Sequence, residues 1–200
     1  MDEDKLKEIS EAVQDIVIKR IEDNYLKLQT NFEKEPFRYI KGLLDSLKEL
    51  FDKAKIMQNS EEKNDIAYIT FTFLYSKVLQ NKNGLRIDVL DKNLYLDEQE
   101  VYVFWEPTEF FVWVEEDMKY IERYLSSSFI SLKKYEFLEL YNSYLVNYYQ
   151  ILAKVLIKIV PCIQSMQSYK ALKKEKEVKV LLGEYMDKYQ CIYSMAGEKS

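Results

Sequence analysis

From Tyr135 to Ile159 the chain carries Tyr135, Leu138, Asn142, Leu145, Tyr149, Leu152, Leu156 and Ile159 at alternating spacings of three and four. That rhythm keeps to one face of an α-helix, and Pro161 disrupts it at the end. Tyr141, Tyr148 and Val155 widen the stripe on one side. A coiled coil wants a narrow seam flanked by charge, whereas a wider stripe suits a central helix touching two neighbours. A chain organised around such a helix is expected to be a bundle.

The flanking sequence supplies neighbours for it. Leu6, Ile9, Val13, Ile16, Val17, Ile21, Tyr25 and Leu28 predict a first amphipathic helix over about 4–31. Pro36 suits the first turn of a second, in which Phe37, Ile40, Leu44, Leu47, Phe51 and Ala54 keep the helical spacing. Residues 61–81 carry two conflicting signals. "YITFTF" alternates like a strand, whereas Ser60, Glu61 and Glu62 read as a capped helix start, with Lys77, Lys82 and Gly84 as its stop. Weighted by its ends, this segment is expected to be a third helix. Pro107 and Thr108 open a fourth, with Phe110, Val114, Met118 (or Asp117), Ile121 and Leu125 inward. A last helix is expected from Ala171 to Tyr193, with Val178, Leu181, Leu182, Tyr185 and Tyr189 inward.

One stretch breaks the helical rhythm: "GLRIDVLDKNLYLDEQEVYVFWEP", residues 84–107. Leu85, Ile87 and Val89 alternate with Arg86 and Asp88, and Asp91–Asn93 has turn chemistry. Val101, Val103 and Trp105 then face one way while Tyr102 and Phe104 face the other. The expected architecture is therefore mainly α. It is a single domain over 1–200, a bundle of roughly six helices, with a small antiparallel β-meander at about 85–105 between the third and fourth helices.

Several kinds of chemistry are closed off. The chain has no histidine, so Ser-His-Asp and Cys-His nucleophiles, His-bound zinc and the Glu-x-x-His di-iron motif have no place in it. Its four glycines are isolated, so no Gly-rich phosphate loop exists, and no cofactor is expected. A net charge of −5 and a pI near 5.1 disfavour broad binding to nucleic acid or anionic lipid. The apolar run "ILAKVLIKIV" is interrupted by Lys154 and Lys158, which speaks against a membrane span. The acidic start "MDEDKLKEIS" lacks the apolar core of a signal peptide, so a cytoplasmic chain with Cys162 and Cys191 as reduced thiols is expected. Lysine far outnumbers arginine, tyrosine is abundant and histidine is absent, which resembles the codon bias of an AT-rich bacterial genome.

Three functional readings remain. The first is a non-catalytic protein-interaction role of the immunity, inhibitor or adaptor type. Tyr102, Phe104, Trp105 and Trp113 supply aromatics of the kind that dominate interface hot spots. Glu106, Glu109, Glu115 and Glu116 lie among them, and an aromatic patch rimmed with acid suits a basic protein partner. Against it stands the plainer possibility of a meander whose aromatics are all buried. The second reading is a Mg²⁺-dependent phosphohydrolase. "EFLE" (Glu136, Glu139) and "EYMD" (Glu184, Asp187) resemble the paired carboxylates by which all-α nucleoside-triphosphate pyrophosphatases hold Mg²⁺. Their separation exceeds that family's pattern, and a chain with 34 acidic residues produces such pairs by chance, "EISE" and "ELFD" among them. The third is a DNA-binding regulator using the Lys-rich last helix, where Glu175 and Glu177, interleaved among Lys170, Lys173, Lys174, Lys176 and Lys179, dilute the positive field.

Overall fold

Helices come first in the chain, as the periodicity requires. A computed structural model describes residues 3–74, 84–128, 133–184 and 188–196, with α1 at Glu3–Lys34 and α2 at Pro36–Asn59. Further helices follow at Thr108–Phe111, Val114–Ser128 and Lys134–Ile159, and a single turn at Gln167–Lys170. Pro161 sits in the 3-10 segment Val160–Ser165 that ends the long helix. Lys134–Ser165 is long and apolar enough to cross a membrane by length and composition, and 44% of its most apolar window is buried inside the protein, which is compatible with a soluble chain.

The rest is a sheet, and it overturns the expected helical bundle. Strands β1 (Ile66–Phe73), β2 (Leu85–Leu90), β3 (Tyr102–Trp105), β4 (Lys174–Glu184) and β5 (Tyr189–Ala196) form one mixed sheet in the order β3-β2-β1-β4-β5. β1 and β4 are parallel; every other neighbouring pair is antiparallel. The expected pairing of 85–90 with 102–105 is present, but as one end of this sheet and not as a hairpin insert. Within the stretch expected to be a meander, Leu94–Leu96 is a 3-10 turn.

Two expected helices are thus strands, for identifiable reasons. Ser60–Glu62 is not the start of a third helix but the end of α2. Glu61 adopts φ 61°, the Glu62 N–H bonds to the Met57 carbonyl at 2.8 Å, and the Glu61 N–H to that of Gln58 at 3.3 Å. That pair of bonds is the Schellman closure of a helix C-terminus. With the end signal reassigned, "YITFTF" keeps its alternation and forms β1; Lys77 and Lys82 lie outside the described residues. Glycine adopts positive φ without the clash that Glu61 meets, so Glu61→Gly is expected to raise stability by about 0.5–1 kcal/mol. An unmoved or lower urea midpoint would contradict this.

The last segment is open to a second period. Val178, Val180 and Leu182 alternate as readily as Val178, Leu181 and Leu182 follow a helix. Pairing decides it: Ile69 lies beside Val180 and Phe71 beside Leu182 in the β1–β4 register. Gly183 is needed where β4 approaches β5, since a Cβ there would sit 2.5 Å from the Lys188 carbonyl.

The chain divides into two compact units, Met1–Tyr39 with Thr108–Leu152 and Ile40–Pro107 with Ala153–Ser200. In the second, one face of the sheet carries Ile69, Phe71, Leu85, Ile87, Val89, Val103, Trp105, Val180 and Leu182, all buried, and α2 buries Leu43, Leu47, Leu50, Phe51 and Ala54. Gly42 lets α2 approach Trp105, whose Nε1 would lie 3.3 Å from an added Cβ. Buried Gln58 ties the end of α2 to the start of β4. It donates to the Lys173 carbonyl at 2.8 Å and accepts from the Lys173 N–H at 2.8 Å.

Candidate functional site

β3 alternates strictly. Its core side places Val103 opposite Ile87 and Trp105 opposite Leu85, leaving Trp105 only 5% exposed. Its other side presents Tyr102 and Phe104, 39% and 45% exposed, with ring centroids 5.4 Å apart in an edge-on arrangement. The Arg86 guanidinium lies 4.0 Å from the Tyr102 ring centroid, within cation–π range. The same arginine contacts Asp88 at 2.6 Å and Glu100 at 3.2 Å. Burial pushes the Asp88 carboxyl above the usual range, opposed by the bond from Arg86. One cation thus faces two carboxylates, and exposed Glu98 and Glu106 add to the negative excess. Beside this patch lies a depression of about 360 Å³ lined by Lys53, Ile56, Met57, Glu100, Val101 and Tyr102.

The loop before β3 is held by a buried ion pair. Lys63 Nζ reaches Asp97 at 2.5 Å and the Gln99 carbonyl at 2.5 Å, while Asp97 also accepts the backbone N–H of Asp91 and of Gln99. Asp91 accepts the Asn93 N–H at 2.7 Å, the turn chemistry read from the sequence. Asp97 is therefore part of the scaffold and not of an acidic rim.

The remaining interaction residues belong to the first unit. Glu115 and Glu116 are exposed. Half-buried Trp113 and Glu109 line a depression of about 390 Å³ with Asn31, Arg38, Tyr39, Thr108 and Val112. Phe111 is buried against Tyr148 and Tyr149. Asp117 is buried too, and around it lies a polar cluster that periodicity alone misses. It accepts from Arg20 at 2.5 Å, from Asn24 at 2.6 Å, from Tyr144 and from Tyr148. Arg20 also packs on Tyr120, 3.9 Å from its centroid. The one signal for it in the sequence is a carboxylate on the inner stripe of a helix, at the alternative position beside Met118.

The paired-carboxylate arrangement loses its helical basis. Glu136 is buried at the start of its helix and accepts the Lys133 N–H at 2.7 Å, as a capping residue does. Glu139 is exposed on the same helix, Glu184 ends β4, and Asp187 lies outside the described residues. The Lys-rich segment likewise falls in the turn before β4 and in β4 itself, so no recognition helix is formed there. Cys162 and Cys191 are both free and exposed. Comparison with protein-family models, with curated proteins and with solved structures finds no match to this chain.

Proposed function

We propose that the chain is a non-catalytic, cytoplasmic protein-binding module of the immunity, inhibitor or adaptor kind, and that the outer side of β3 is its docking surface for a basic partner. The observation that carries this reading is the exposed Tyr102–Phe104 pair on an end strand, set among Glu98, Glu100 and Glu106. Rigid aromatics contribute contact area at little entropic cost, and the acidic surround favours encounter with a cation-rich surface. Trp105 supports this surface from the core side and does not form part of it. Glu109, Trp113, Glu115 and Glu116 stand in the first unit and are tested separately.

The experiment compares partners captured by the wild-type chain and by a Tyr102→Ala/Phe104→Ala double variant. The double variant is expected to keep its melting temperature within a few degrees, because both rings are already partly solvated. It is expected to lose about 2 kcal/mol or more of binding free energy, roughly 30-fold in affinity. Glu106→Lys should slow association, most at low salt, and Glu115→Lys/Glu116→Lys should do the same if the first unit contributes. Retention of every captured partner by the double variant would rule the surface out.

A further inference from the structure

The sheet has a second end strand. Among the described residues β5 has β4 on one side only, and it runs for eight residues, twice the length of β3. Its sequence, YQCIYSMA, contains no charge, proline or glycine. Natural end strands are usually kept apart by lysine, proline, shortness or a bulge, because their unpaired backbone groups accept another strand. Of these devices β5 has only the bulge: Val180 lies opposite Tyr193 and Leu181 opposite Cys191, so Ile192 is the extra residue. Gln190, Cys191, Ser194 and Ala196 are exposed, and Ile192 and Tyr193 are half-buried.

We propose that β5 pairs antiparallel with β5 of a second copy of this chain, joining the two sheets edge to edge. The occupant follows from charge. An antiparallel pair about a two-fold axis sets one end of the strand against the other end of its copy, so a strand with like charges at both ends repels itself. β5 has none to repel. β3 is bracketed by Glu100 and Glu106, and self-pairing there would bring like charges together. An uncharged strand also offers no pattern that would select a basic or an acidic partner in place of its own copy. The bulge restricts regular pairing to the runs either side of Ile192, so the dimer is reversible and depends on concentration. The inference does not depend on the reading of β3.

Sedimentation of the full chain should show a mass that rises from 24.0 kDa toward twice that value with concentration. Gln190→Lys and Ala196→Lys, each placing a charge on the strand, should hold it at the monomer mass. Hydrogen exchange needs no variant: the amides of Tyr193–Ala196 should exchange more slowly in concentrated than in dilute wild-type protein. A monomer at every concentration would overturn the proposal. So would a dimer that both lysine variants retain, or β5 exchange that concentration leaves unchanged.

Discussion

Asp117→Ala is expected to destabilise the protein by about 3–5 kcal/mol, the range for removing one partner from a buried ionic cluster. The carboxylate accepts from four side chains and so joins three helices: Arg20 and Asn24 on α1, Tyr144 and Tyr148 on the Lys134–Ile159 helix, and Asp117 itself on Val114–Ser128. Alanine takes the carboxylate acceptor from both buried phenols, while the Asn24 amide keeps the Tyr148 oxygen at 3.0 Å and Arg20 retains partial access to water. Tyr144→Phe removes one donor and leaves the carboxylate three others, so its cost should be nearer ~1 kcal/mol. Urea unfolding measures both. A loss below about 1 kcal/mol for Asp117→Ala would mean that apolar packing alone positions these helices.

Alkaline pH should act on two tyrosines of that cluster and on two outside it. Burial raises the phenols of Tyr148, Tyr169 and Tyr189 to about 12, and raises Tyr144 further in the same direction. An unfolded tyrosine ionises near pH 10, so between about pH 10 and 12 the folded chain binds more protons than the unfolded one. The stability these phenols contribute is thus fully present below about pH 10 and is lost as pH rises toward 12. A tenfold change in an ionisation constant is worth about 1.4 kcal/mol, so buried Tyr148 alone can account for roughly 3 kcal/mol. Together with Tyr144 and Tyr169 it should produce cooperative unfolding in that window. Absorbance at the phenolate band should show these tyrosines ionising with the unfolding transition, later than the exposed ones. A smooth titration of all 17 near pH 10, with the circular dichroism unchanged, would contradict it.

The β3 site is partly legible because strand alternation is local: once 102–105 is extended, Tyr102 and Trp105 must point to opposite sides. What covers each side is not local. Nothing in the order of residues tells Trp105 apart from Phe104 as the buried one; Gly42 on α2 and Leu85 on β2 do that. The acidic residues between 97 and 117 are legible as composition but not as surface, since Asp97 and Asp117 look like their neighbours until Lys63 and Arg20 are brought to them from 34 and 97 residues away.

By itself the sequence determined the two leading helices and those between Thr108 and Ile159. Their apolar spacing spans many turns, and Pro36, Pro107 and Pro161 mark their limits. It also determined the absence of histidine chemistry and the extended character of 85–90 and 102–105. Only the tertiary structure decided 66–73, 174–184 and 189–196. These segments carry apolar residues that suit either period, and a short strand has no stability until another strand supplies its hydrogen bonds. β1 and β4 supply them to each other across the long stretch of chain between them, which holds β2, β3 and the helices of Thr108–Ile159, a pairing that no local window contains.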